Sequence, residues 1–204
     1  VDLNHYDKQS RARNDVKITR FVSVGRVENS VKAHHIAIQA FARMQNNNDF
    51  SSEWEYIVVG SGPDVDNLRE LVADVGLSDN ITITGWMEPD EVRKILQQAH
   101  IFVHPSLRDA YPAAVLEAMA AGLPVIAASG GAVPENIKDG VTGALVPVND
   151  SDALAKAIIS ALENPQYIET LAKVAKKVVR ERFSWDKTAD NMIDLYTSVL
   201  RNGI

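Results

Sequence analysis

Asp109-Ala-Tyr-Pro-Ala-Ala-Val-Leu-Glu117, continued by Ala118-Met-Ala-Ala-Gly122-Leu-Pro124-Val-Ile126, decides how this 204-residue chain is read. Two carboxylates stand eight positions apart, Asp109 on a loop and Glu117 inside the helix expected over residues 111–121. Short apolar runs at residues 101–103 and 125–128 bracket that helix as strands. The helix entrance presents backbone N–H groups that suit an anion. An acid on the loop and an acid in the helix can hold two different parts of one polyhydroxylated ligand.

The same alternation extends in both directions. Strands are expected at residues 18–24, 56–59, 81–84, 101–105, 124–128 and 143–146, with helices at 31–44, 64–75, 89–99 and 111–121 between them. Largely apolar strands alternating with helices imply a parallel sheet covered on both faces: a three-layer, Rossmann-like α/β fold. Gly25, Gly60, Gly85 and Ser106 lie at strand ends, where open parallel sheets bind their ligands. From Ser151 onward the chain is helical, over residues 152–162, 165–183 and 185–200. On the last helix Trp185, Ala189, Met192, Tyr196 and Val199 form one apolar stripe. Packing against this same domain is the expectation for that stripe; a partner domain is the alternative. The division is a linker or arm at residues 1–15, the domain at 16–183 and a C-terminal helix at 184–204.

Bulk composition narrows the class. Hydrophobic residues make up 46% and charged residues 24%, ordinary values for a globular chain with one sizeable core. The net charge of −6 argues against general nucleic-acid binding. With no cysteine, disulfides, zinc–thiolate sites and a cysteine nucleophile are all excluded. No apolar run reaches the roughly 20 residues of a membrane span, and no signal peptide opens the chain, which fits a cytoplasmic protein. A sugar nucleotide, with hydroxyls at both ends and a diphosphate between, matches the two acids and the helix entrance.

These motifs, in this order, resemble the C-terminal half of a GT-B fold retaining glycosyltransferase, of the large family containing bacterial mannosyl- and glucosyltransferases and sucrose synthase. The resemblance is carried by Gly25-Arg26 and Lys32, Gly60-Ser61-Gly62-Pro63, Gly85-Trp86, the Asp109-to-Glu117 spacing with Ala118 through Val125, Gly130-Gly131-x-x-Pro134-Glu135, and Asp139-Gly140-x-x-Gly143. It runs from about Phe21 to Leu200. Asp109 departs from the family pattern, standing where a Glu, one methylene longer, is usual.

The resemblance implies a UDP-, GDP- or ADP-hexose as donor, transfer to an acceptor hydroxyl with retention, no metal and no cofactor. The acceptor site would lie in an N-terminal domain absent from this chain, and a domain alone would bind donor without turnover. Peripheral membrane association of the full-length protein is one option. Arg26 and Lys32 are expected to neutralise the leaving diphosphate, Glu117 to accept from the ribose hydroxyls, and Asp109 to hold a sugar hydroxyl or to serve as a turn residue capping the helix. Gly25, Gly62, Trp86, Met87, Tyr111, Pro112 and Ala113 complete the expected donor-binding set. For Trp86 and Met87 the reading is contact with the base, with core packing the alternative for Trp86. Backbone N–H groups of Tyr111 and its neighbours would add contacts, Pro112 having none to give.

Other features admit simpler readings. Asp64-Val65-Asp66 at a helix start reads as capping rather than metal binding. Gly60-x-Gly62 lacks the third glycine of a dinucleotide fingerprint, Val65 standing in its place. His34 and His35 read as helix-surface residues, whereas His104, ending a strand, is a candidate for lining the crevice. Two further functional classes stay open, a non-catalytic sugar-nucleotide-binding or structural module and a sugar-nucleotide epimerase of GT-B architecture.

Overall fold

The computed structural model describes residues 1–6, 18–46 and 53–202; most of the expected arm, residues 7–15, lies outside them. A short 3-10 turn, Leu3–Tyr6, precedes a sheet of six strands: β1 Ile18–Val24, β2 Glu53–Val59, β3 Ile81–Gly85, β4 Ile101–His104, β5 Val125–Ala128 and β6 Ala144–Val146. Their order across the sheet is β3-β2-β1-β4-β5-β6, with every pairing parallel. β1 is therefore flanked by β2 on one side and β4 on the other, with Phe21 opposite Ile101 and Val22 opposite Phe102. The chain reverses its direction of travel across the sheet between β1 and β4, which opens a crevice beyond their carboxyl ends.

Helices α1 His34–Gln45, α2 Val65–Asp74 and α6 Ser151–Glu163 cover one face, around a core of Phe21, Phe41, Tyr56, Leu68 and Ile158. Phe41 organises this side. Its ring stacks on Trp54 at 4.9 Å and meets Tyr56 at 4.5 Å and Phe21 edge-on at 5.0 Å. Helices α3 Pro89–Gln98, α4 Ala113–Ala121 and α7 Pro165–Arg182 cover the other face through Leu96, Val115, Met119, Ala175 and Val179, and Tyr6 joins that layer. A one-turn helix, α5 Val133–Asn136, follows β5. The expected Rossmann-like three-layer fold is the one observed.

Three local differences bear on the site. β2 begins three residues earlier than expected, at Glu53. α1 begins at His34 rather than at Val31, because residues 31–33 form a turn that ends in the left-handed Ala33 (φ 50°, ψ 40°). α4 begins at Ala113, two residues late, with Pro112 at its N-cap.

The last helix, α8 Trp185–Asn202, overturns the expectation that its stripe packs against this domain. Trp185, Met192 and Tyr196 are 65%, 47% and 58% exposed, and Ile193, Leu195 and Leu200 are more than half exposed beside them. The stripe is real, but α8 leaves the sheet behind and rests chiefly on α7.

Candidate functional site at the sheet crevice

The loops after β1 and β4 are stitched together across the crevice. The carbonyl of Val31 accepts the N–H of Leu107 at 2.8 Å and the hydroxyl of Ser106 at 2.9 Å. That pin interrupts the start of α1 and places Lys32, from the β1 loop, against Asp109, from the β4 loop. Lys32 Nζ donates to Asp109 Oδ2. His104, the last residue of β4, sets its Nε2 3.2 Å from the same oxygen. Asp109 Oδ1 accepts the N–H of Tyr111 at 3.3 Å, and its backbone carbonyl accepts from Ala132 at 2.8 Å. The turn role foreseen for Asp109 is thus present, combined with an ion pair, although its side chain caps no helix.

Burial favours the neutral acid at Asp109, but the Nε2 of His104 close by and the hydrogen bond and charge of Lys32 outweigh it and hold the carboxyl down at about 2. His104 is itself buried, and desolvation lowers its pKa, so its ring is neutral at pH 7. His34 corrects the surface reading: it is 2% exposed, neither ring nitrogen has a hydrogen-bond partner among the described residues, and burial drives its pKa down to about 3. Its neighbours include His104 and Lys32. His35 is half-buried, its Nδ1 3.1 Å from Asn29 Oδ1.

Two cavities are lined by residues of the same loops and their neighbours. One, of about 390 Å³, is lined by Gly25, Arg26, Gly60, Ser61, Trp86 and Met87, among others. Gly25 donates to Val59 O and Gly60 to Gly85 O, so the ends of β1, β2 and β3 form one continuous rim. Trp86, 66% exposed, stands on this rim and not in the core. Arg26 projects outward, with Glu28 Oε2 2.9 Å from its Nε. Gly62 lies behind the rim; a Cβ there would sit 2.1 Å from Val27 O, so only glycine allows the two loops to approach this closely.

The second cavity, of about 340 Å³, is lined by Tyr6, Arg93, Tyr111, Ala113, Glu117 and Trp185, with Val1 and Asp2 at its edge. Glu117 is partly buried here, and desolvation raises its pKa while the charge of Arg93 opposes the rise. The buried phenol of Tyr6 is pushed upward, first by desolvation and then by the charge of Glu117. The structure thus brings Lys32 and Asp109 into contact, puts Gly25, Arg26, Trp86 and Met87 in one cavity, and puts Tyr111, Ala113 and Glu117 in the other. Pro112 is buried at the α4 N-cap.

The helix entrance offers less than expected. The N–H of Tyr111 turns onto Asp109, and that of Ala113 onto Tyr111 O at 2.8 Å. Asp64 and Asp66 make local contacts. Asp64 takes the N–H of Asn29 at 2.7 Å without capping α2, and Asp66 pairs with Arg69. Among the described residues no group of three or more His, Asp or Glu is arranged to hold a metal ion. Arg93, Tyr6 and Trp185 were not foreseen at the Glu117 cavity. Arg93 carries a sequence signal, being a cation early in the helix that follows Gly85-Trp86.

The family model for glycosyl transferases group 1 matches residues 6–178. The D-inositol 3-phosphate glycosyltransferase of Mycolicibacterium paratuberculosis is 30% identical over 184 residues, covering 87% of this chain and 40% of that protein. The structure of Anabaena HepE with UDP and glucose superposes with a TM-score of 0.84 at 23% identity, over 97% of this chain and 55% of that one. The C-terminal domain of a group 1 glycosyl transferase, LpcC of Francisella tularensis, superposes with a TM-score of 0.76 at 23% identity, over 91% of this chain and 99% of that domain. The chain spans less than half the length of the curated relatives it matches. With its fold that of the C-terminal half of a GT-B enzyme, the chain belongs to the glycosyl transferases group 1 family.

Proposed function

We propose that this domain holds a nucleoside diphosphate hexose and, within a complete two-domain enzyme, presents it for transfer to an acceptor hydroxyl with retention and without a metal ion. The observation that carries the reading is the meeting of Lys32 and Asp109 where the sheet order reverses, with Arg26 of the β1 loop lining one cavity and Tyr111 of the β4 loop lining another with Glu117. Arg26 and Lys32 neutralise the diphosphate as it leaves, charge that grows in the transition state. Glu117 accepts from the ribose hydroxyls. Trp86 and Met87 flank the base. Asp109, with a lone pair of Oδ1 still unused, accepts from a sugar hydroxyl. The UDP-glucose found with HepE supports a sugar nucleotide as ligand class.

The remaining parts follow from the same reading. The exposed stripe of α8 seats an N-terminal acceptor domain, the isolated domain binds donor without turnover, and the complete enzyme works on the cytoplasmic side, in polysaccharide or glycolipid synthesis. Calorimetry of UDP, GDP, ADP and their hexose conjugates, with and without EDTA, tests it. Selective binding of one base, unaffected by EDTA, is expected. Binding abolished by EDTA would remove the metal-free claim, and binding to none of the six would favour a structural module.

A further inference from the structure

We propose that His104 is a positioning residue of the donor site: it takes up the Asp109 carboxylate as Lys32 is drawn onto the donor diphosphate, and so keeps Asp109 aimed at the sugar. The proposal deepens the reading above and rests on the roles given there to Lys32 and Asp109.

Asp109 is held at several points. Lys32 Nζ and His104 Nε2 share Oδ2, Tyr111 N–H approaches Oδ1, and the Asp109 backbone is held through Ala132. At 8% exposure Oδ2 has little solvent to turn to once Lys32 leaves it. Lys32 is different. Its side chain is 22% exposed and its ammonium carries three donors, so it can swing from the carboxylate toward an anion in the crevice. Any such movement strips a buried carboxylate of its strongest partner, which is costly unless another donor replaces it. His104 stands ready at 3.2 Å, yet its contact is not a well-aligned hydrogen bond while Lys32 holds Oδ2. A small turn of the carboxylate toward β4 completes that bond.

The ring suits this task. It is 3% exposed and cannot reach a ligand, and it lies nearly parallel to the ring of Phe102 at 6.2 Å, which fixes its plane. In the tautomer with the proton on Nε2, the neutral ring donates to Oδ2 without adding a second positive charge beside the diphosphate. The shorter Asp side chain is then an advantage: it keeps the carboxylate at the depth of the strand end, within reach of His104.

The test uses the 204-residue chain, with nitrogen-15 imidazole spectra and calorimetry on the wild type, His104→Leu, His104→Gln and Asp109→Asn. Each hexose conjugate (UDP-glucose, GDP-mannose, ADP-glucose) is compared with its bare nucleotide, so that the ratio of the two affinities isolates the sugar. Asp109→Asn is expected to abolish the sugar-dependent gain. His104→Leu should lose about fivefold of it, the worth of one hydrogen bond, with little change for the bare nucleotide. His104→Gln, whose amide reaches the Nε2 position, should restore most of it. In the wild type the His104 Nε2–H proton should move downfield on donor addition, and inorganic pyrophosphate serves as the probe if no nucleotide binds. A folded His104→Leu with the full sugar-dependent gain, or a His104 resonance that no probe moves, overturns the proposal. If Asp109→Asn keeps the gain as well, the reading of Asp109 itself is at fault.

Discussion

Glu117 and His34 are both drawn out of water by the fold, with opposite consequences. At Glu117 burial raises the pKa against the pull of the Val1 amino group and of Arg93, and the carboxylate faces a cavity wide enough for a ribose. Glu117→Ala is expected to weaken nucleotide binding by about 2 kcal/mol, near thirtyfold, as charge-assisted hydrogen bonds to two hydroxyls are lost. Calorimetry on the folded variant checks this, and unchanged affinity would place the ribose elsewhere. His34 faces the core instead. The unfolded imidazole takes a proton near pH 6.5 and the folded one only near 3, so between these values the unfolded state binds the extra proton. The stability that His34 contributes is therefore full above pH 6.5 and drains away as the pH falls toward 3, by about 1.4 kcal/mol per pH unit. His104 acts in the same direction. Replacing His34 by Leu should make the fall in unfolding free energy between pH 6 and 4 shallower by about one proton, read from urea melts at each pH. An unaltered slope would show that His34 protonates freely in the folded protein.

Elements were easier to foresee than the contacts between them. The alternation of apolar runs and helical patterns marks six strands; the signal is strongest in β4 and β5, buried at every position, and weaker in the partly exposed β2, β3 and β6. The same local signal cannot say that residues 31–33 leave α1 to form a turn. That turn is set by Ser106 and Leu107, some 75 positions away, which hydrogen-bond the carbonyl of Val31. Lys32 and Asp109 are singled out by the motifs around them, whereas their ion pair follows from this pin. His34 was misread for a related reason: a polar side chain next to Lys32 looks solvent-facing until the turn rotates the helix start. Gly131 shows how tightly the crevice loops are fitted. It adopts φ +59°, and an added Cβ would lie 2.4 Å from the backbone oxygen of Asp109. Gly131→Ala combines a left-handed alanine with overpacking against backbone that has no room to yield. A loss of about 2–4 kcal/mol is expected, together with weaker donor binding as the Asp109 loop shifts. A thermal melt checks the first part; a variant with wild-type stability would mean that the loop relocates at little cost.

For the whole molecule, α8 is an element whose apolar side stays largely exposed among the described residues. Periodicity located the stripe but was silent about its partner, since a 3.6-residue repeat records that a face is apolar and nothing about what covers it. The consequence is an asymmetry between this chain alone and a two-domain enzyme. Met192, Leu195 and Tyr196 are each about half exposed or more, so in this chain their replacement by Glu should move the unfolding free energy by no more than about 1.5 kcal/mol, up to about 0.5 for each surface substitution. The same triple replacement in a protein that carries the acceptor half should cost several times that and weaken the association of the halves, because three charges would enter an interface built for apolar contact. Parallel melts of the two proteins decide it. An equal, small effect in both would mean that α8 remains uncovered in the complete enzyme, and the apolar side would then be available to a membrane surface or a second copy of the chain, which vesicle flotation and sedimentation would tell apart.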